Sequence, residues 1–371
     1  MPPLPHSPDL AFSLDDAQTL LFTIHDVPFV VRSNDAGVIG HVARLVARYR
    51  GSMPQAATGP QQELVAVQGT PEFDRSGLTD VPRRSGASKP ARVAITDRDD
   101  HRLIYRREAG VLTVIEPARW TITGDLRAYP NEVTRALDAM LALALVERGY
   151  LTLKGSALAR AGQGVALVGG SDSARRALAV TLLERGFQWV TEDSLLVRVA
   201  AGHVEMRGLP GLLRLGPAAM TAHPALRAML TDDERAQYAG QTWRDLREID
   251  ARYVVNAADA FGAGGVEEDG ALRMIVALRW KGNDTSGASA IAPLARAEAY
   301  EALADTTRSY GLYDVDGAVP PNFHRLQRIA ETVAMRAVTG PIDLATIADA
   351  LAADDALTAP ADLPAATNGA R

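Results

Sequence analysis

Between residues 169 and 193 the chain carries side chains of a kind that handle phosphate. Gly169-Gly170-Ser171-Asp172-Ser173-Ala174-Arg175-Arg176 follows an apolar run, Val165 to Val168, and Glu192 and Asp193 follow a second one at Gln188 to Val190. Glycines after a strand let backbone N–H groups curl round phosphate oxygens, and a following helix turns its positive end toward the same charge. A carboxylate beyond the next strand can take the proton of an attacking hydroxyl. The regular pattern for this chemistry, G-x-x-x-x-G-K-[ST], adds a lysine for the outer phosphates and a hydroxyl for magnesium. In register, Gly169 keeps the first glycine, but Ala174 replaces the second, Arg175 the lysine and Arg176 the hydroxyl. ATP is therefore a candidate ligand. Loss of the hydroxyl argues against Mg2+, which normally neutralises charge developing on a transferred phosphoryl group.

Two arginines in the first turn of a helix sit where the helix dipole is already positive, so something negative should lie close. A bound phosphate would serve, with Arg175 standing in for the lysine. Asp172 is the competing answer: placed to cap the helix, its carboxylate would fill the phosphate position and repel a nucleotide.

These residues need a frame. Ala177, Leu178, Val180, Leu182 and Leu183 give a helix from about Ala174 to Arg185, stopped by Gly186. A right-handed strand–helix–strand crossover then places Val165 to Val168 and Gln188 to Val190 in one sheet, with Glu192 and Asp193 at its C-terminal edge beside Gly169. Upstream, Asn131 is expected to cap a helix running to about Arg148, followed by a strand from Tyr150 to Leu158. Downstream, Leu272 to Trp280 reads as a buried strand, with helices at Glu298 to Ser309, Arg325 to Ala337 and Ile342 to Leu351.

The first third reads as a small α+β domain without chemical motifs. It has a hairpin round His25-Asp26-Val27-Pro28, a helix over Val38 to Tyr49, and strands at Glu63 to Val67, Arg92 to Thr96, Arg102 to Arg106 and Val111 to Glu116. Gly51 to Pro60 is turn-rich, and Ser76 to Pro90 is expected to be mobile. His6, His25, His41 and His101 show no ligand spacing, so no metal site is expected. The whole divides into a domain over residues 1–125, a second over 126–351, and a disordered Ala/Pro/Asp-rich tail over 352–371.

The 371 residues carry a net charge of −6 and no cysteine. Disulfides and thiolate metal sites are thereby excluded, and neither nucleic acid nor an anionic membrane is an expected partner. The opening MPPLPHSPDL lacks the regions of a secretion signal, and the longest apolar run, Met140 to Val146, is too short for a bilayer. A cytoplasmic location is expected.

From about Asn131 to Thr339 the chain resembles the catalytic domain of HPr kinase/phosphorylase, a bacterial P-loop protein serine kinase, and more closely the HPr kinase-related kinase B group. The resemblance rests on LKGSAL (Leu153 to Leu158), VALVGGSDSARRALAVTLLERG (Val165 to Gly186) and TEDSLLV (Thr191 to Val197). It continues through EMRGLPGLLRLGP (Glu205 to Pro217), TWRDLREIDARYVV (Thr242 to Val255), AFGAG (Ala260 to Gly264) and LRMIVALRW (Leu272 to Trp280). It implies an α/β fold: the mixed sheet with flanking helices shared with phosphoenolpyruvate carboxykinases, here behind a small N-terminal α+β domain. It also implies ATP-dependent phosphorylation of a protein or peptide serine, with Asp193 matching the acidic base and Glu192 beside it. Arg207 matches an arginine near the phosphoryl group, and Arg214 a second basic position. Lys154 stands where the family has histidine, which removes acid/base chemistry at neutral pH.

Three readings follow. In the first, the fold is kept and the activity lost, leaving a pseudokinase or regulatory scaffold for an unknown protein or peptide partner. In the second, the chain is an active serine kinase using Arg175 and Asp193. In the third, it is a metal-free nucleotide or anion sensor using Arg175, Arg176 and Arg207. Self-association into a homo-oligomer is what the resemblance implies.

Overall fold

The computed structural model of the chain describes residues 17–49, 61–82, 92–98, 101–117, 119–280, 288–308, 310, 312–313 and 323–358. It is a mixed α/β structure in two compact units, Met1–Arg148 with Ser309–Val319 and Gly149–Arg308 with Pro320–Arg371. The expected boundary at 125/126 falls ahead of the helix Pro130–Glu147, which groups with the first unit.

In the first unit, eight strands form one sheet. They are Gln18–Ile24 (β1), Val27–Ser33 (β2), Gln62–Gln68 (β3), Thr79–Asp80 (β4), Val93–Arg98 (β5), His101–Arg106 (β6), Val111–Ile115 (β7) and Arg119–Gly124 (β8). Their order is β1-β2-β3-β8-β7-β6-β5-β4, parallel at β2–β3 and β3–β8 and antiparallel elsewhere. The hairpin round His25 forms as read: His25 and Asp26 take φ of 50° and 65°, the left-handed pair of a two-residue turn. The helix Ala36–Leu45 (α1) is capped by Asp35, whose carboxylate accepts from the Val38 amide at 3.0 Å. Helix Pro130–Glu147 (α2) corrects one expectation, because Asn131 does not cap it. Tyr129 holds the N-cap position without a side-chain bond and Pro130 opens the helix. Proline's fixed φ and missing N–H suit the first helical position, which moves Asn131 one residue inside. His6, residues 51–60 and residues 83–90 lie outside the described residues, while Thr79–Asp80, within the stretch expected to be mobile, pairs with β5.

The second unit is built on Leu151–Arg160 (β9), Gln163–Gly169 (β10), Gln188–Thr191 (β11), Ser194–Ala200 (β12), His203–Gly208 (β13), Leu213–Leu215 (β14), Tyr253–Val255 (β15), Asp269–Leu278 (β16), Ala290–Pro293 (β17) and Ala334–Thr339 (β18). Eight of them form one sheet in the order β10-β9-β12-β13-β16-β18-β17, with β11 joined to β9; β16 also pairs in parallel with β10, so the path closes on itself. Side chains alternate across it, as a strand's period of two requires. Leu158, Val165, Leu167, Met274 and Val276 face the helix Asp172–Leu183 (α3), with Leu178 and Leu182 on that side. Ala157, Ala166, Val168, Ile275 and Ala277 face the helices Arg296–Thr306 and Phe323–Thr332.

Two further expectations change. The helix read over Arg325 to Ala337 ends at Thr332, and Ala334–Thr339 is a strand parallel to β16, its Met335 and Ala337 turned to the core. The tail read as disordered from residue 352 first forms a short helix, Asp355–Thr358, held by buried Leu357; residues 359–371 lie outside the described residues.

Candidate functional site

Strand β9 assembles the site. On one edge it pairs with β10, Gly155 opposite Val168; on the other it pairs with β12, Lys154 opposite Ser194, and with β11, Ala157 opposite Thr191. Lys154, Gly155 and Ser156 therefore lie between the end of β10 and the turn that carries Glu192 and Asp193. The Gly155 amide donates to the Asp193 carbonyl at 3.1 Å, and the Ser156 hydroxyl to the Glu192 carbonyl at 2.7 Å. A Cβ on Gly155 would stand 2.6 Å from the Leu167 carbonyl oxygen, so no larger residue fits at this crossing. The sequence expectation that both runs belong to one sheet, with the carboxylates beside the loop, agrees with this arrangement.

Gly169 and Gly170 take φ of 70° and 63°, which only glycine adopts freely. The helix then begins sooner than the sequence suggested. Ser171 is in extended conformation (φ −77°, ψ 145°) and its hydroxyl accepts from the Ala174 amide at 3.2 Å, which makes it the N-cap. Asp172, expected to cap, is instead the first helical residue, and α3 starts two residues ahead of Ala174. The Arg175 amide already donates to the Ser171 carbonyl at 3.0 Å. Only Gly170 and Ser171 separate strand from helix, so Ser173, Ala174, Arg175 and Arg176 lie within the first turns of α3 and not in a phosphate-wrapping loop.

The charges near this junction are matched to one another. Arg175 is 1% exposed; its Nη2 lies 3.0 Å from Asp172 Oδ1 and 3.7 Å from Asp193 Oδ1, and its Nη1 donates to the Gly169 carbonyl at 3.4 Å. Lys154 Nζ stands 3.5 Å from the same Asp172 oxygen. Arg308, at the end of helix Arg296–Thr306, reaches Asp193 Oδ2 and the Ser194 hydroxyl, both at 2.6 Å. Glu192 is buried; it forms an ion pair with Arg176 at 2.5 Å and accepts from the Arg214 backbone amide at 2.8 Å. Burial opposes ionisation of Asp172, and the charges of Arg175, Lys154 and Arg176 outweigh it, holding the carboxyl below its usual range. For Glu192 burial wins over Arg176 and the Arg214 amide, and its carboxyl is pushed up. Four cations, Lys154, Arg175, Arg176 and Arg308, thus face three carboxylates.

The sequence-predicted residues separate into two groups. Lys154, the run Gly169 to Arg176, Glu192 and Asp193 come together, and Arg214 joins them through its backbone. Arg207 belongs elsewhere. On β13 it lies over the Tyr150 ring, 5.4 Å from the centroid, beside Glu205, which accepts from Tyr150 Oη at 2.8 Å and Arg198 Nη2 at 2.8 Å. Burial pushes the Tyr150 hydroxyl up to about 12, against the charge of Arg207. Arg308 has no motif round it, and no local signal in the sequence marks a residue that meets Asp193 from 115 positions away.

A cleft of about 340 Å³ opens on the first turn of α3, lined by Ser171, Ser173, Ala174, Arg247, Trp280 and Ile342 among others. Arg247 is held by Glu248 at 2.8 Å, and the Trp280 indole N–H is buried without a partner among the described residues. Among the described residues no three His, Asp or Glu side chains are grouped to hold a metal. Among the described residues no helix is long and apolar enough to cross a membrane.

No family model matches the chain, and no curated protein does. Among solved structures it is similar to the HPr(Ser) kinase/phosphatase from Coxiella burnetii, at 10% identity and a TM-score of 0.28, over 54% of this chain and 92% of that one. A score of that size describes a loosely shared course of the backbone and carries no chemistry across.

Proposed function

We propose that this chain is an HPr kinase-like protein in which the phosphate site has been replaced by an internal ion-pair network, leaving a pseudokinase that serves as a regulatory scaffold for a protein or peptide partner. One observation carries the reading: Arg175, the counterpart of the nucleotide-binding lysine, is 1% exposed and held between Asp172 and Asp193. A lysine that meets the outer phosphates must present its charge to the ligand, and a guanidinium buried under its own carboxylates does not. Asp193, the candidate base, is engaged on both oxygens by Arg175 and Arg308, so a serine hydroxyl would have to displace an arginine to reach it.

The second reading, a metal-free nucleotide or anion sensor, is favoured by the cleft at Ser171, Ser173 and Trp280, where an unpartnered indole N–H and the positive end of α3 lie close. Calorimetric titration with ATP separates the readings. The scaffold gives no binding with or without magnesium. Binding without metal supports the sensor, and magnesium-dependent binding restores the active kinase.

A further inference from the structure

A second basic feature of the Gly149–Arg308 unit lies apart from the residues of α3. A pocket of about 230 Å³ has an apolar floor of Leu151, Val197 and Ile329, with Arg325 and Arg328 from the helix Phe323–Thr332 at its rim and, among the described residues, no carboxylate in its lining. Arg198 also lines it, but its guanidinium is committed to Glu205. Among the described residues neither the Arg325 nor the Arg328 guanidinium has a hydrogen-bond or ion-pair partner; the Arg328 carbonyl accepts from the Thr332 hydroxyl at 2.7 Å.

This is unusual for the unit. Arg185 is paired with Asp349 at 2.9 Å, Arg336 with Asp354 at 3.3 Å, and Arg175, Arg176 and Arg308 are all paired at the site above. The chain has 45 acidic residues against 39 basic, so carboxylates are not scarce. Like charges three residues apart on a helix repel. Arg325, in the first turn of that helix, also adds to the positive end of its dipole. An arginine pair left uncompensated round a small hollow is suited to an anion brought from outside.

We infer that this pocket binds a phosphate dianion, either free phosphate or the head of a small phosphomonoester. The two unmatched guanidinium charges suit a group that carries about −1.5 to −2 at neutral pH and offers three oxygens to planar N–H forks. A volume of about 230 Å³ holds such a group with a few waters but falls below the roughly 300–1,000 Å³ of pockets for larger ligands. A nucleotide does not fit.

The test is calorimetric titration of the full chain at low ionic strength with inorganic phosphate and, separately, glycerol 3-phosphate. Saturable binding should weaken at least tenfold in Arg325→Gln/Arg328→Gln and stay unchanged in Arg185→Gln, which lines neither pocket. Tighter binding of the ester assigns the pocket to a head group, and tighter binding of phosphate to the free ion. In the unaltered protein, phosphate should also shift the side-chain Nε–Hε resonances of Arg325 and Arg328, a readout independent of how the variants fold. No binding up to about 10 mM, roughly tenfold weaker than the millimolar end of the affinity scale, overturns the inference. So does binding that survives the double substitution, or a shift confined to other arginines.

Discussion

Asp172 and Arg175, one turn apart on α3, are joined at 3.0 Å, and the pair turns the guanidinium inward, so that Arg175 is almost wholly buried. The two residues that a phosphate would need, one as a cation and one as an absence of negative charge, bind each other. Lys154 and Asp193 extend the pair on either side, and Arg308, just past the end of the helix Arg296–Thr306, closes it.

The cap of α3 is Ser171, not Asp172, and the two are separable by mutation. Ser171→Ala should lose about 0.5–2 kcal/mol of stability, the usual value of a lost N-cap, and Ser171→Asp should keep most of it. Urea denaturation checks this. Equal stability of Ser171→Ala and the parent would remove the cap from Ser171.

Arg175→Met should destabilise by about 1–3 kcal/mol, less than the 3–5 kcal/mol of a broken buried pair, because the carboxylates it abandons can reach water. The side chains of Asp172 and Asp193 are 45% and 42% exposed. Arg175→Lys should recover only part of the loss, since one ammonium cannot span Gly169, Asp172 and Asp193. Full rescue by lysine would mean that the fork geometry has no role.

Much of this frame is legible in the sequence. The apolar runs at Val165 and Gln188, the glycine pair and the helix between them follow from periodicity, and pairing through β9 sets Glu192 and Asp193 beside the loop. What the sequence hides is the helix start. Ser and Asp are both good caps, and only backbone angles decide that Ser171 is the half-in residue. A motif match gives no side-chain direction, and Arg207, expected near the phosphoryl group, lies instead over the ring of Tyr150, just ahead of β9. Arg308 carries no local signal because its partner is set by tertiary packing alone. Strand Ala334–Thr339 is hidden in the sequence because its alternation is short and follows an amphipathic helix without a proline or glycine break.

Glu192 gives the site a pH signature. Its folded carboxyl is raised above the unfolded value near 4.5, so it holds its proton longer in the folded chain. That contribution is complete below the unfolded value and is lost as pH rises through the folded one. Glu192→Gln does not titrate, and the melting temperature of the variant minus that of the parent should rise with pH across this window. A difference that is flat or falls with pH would contradict the raised carboxyl.

The most direct test of the internal-network account is pyrophosphate binding by Asp172→Asn, measured by calorimetry beside the parent. Removing the carboxylate frees Lys154 and Arg175 from a charge 3.5 Å and 3.0 Å away. At a partly exposed site such a charge is worth one or more kcal/mol, so affinity should rise about tenfold. Adding Lys154→Gln to the variant should cancel the gain. If Asp172→Asn binds pyrophosphate no better than the parent, the carboxylate does not occupy the phosphate position and the network is only a structural brace.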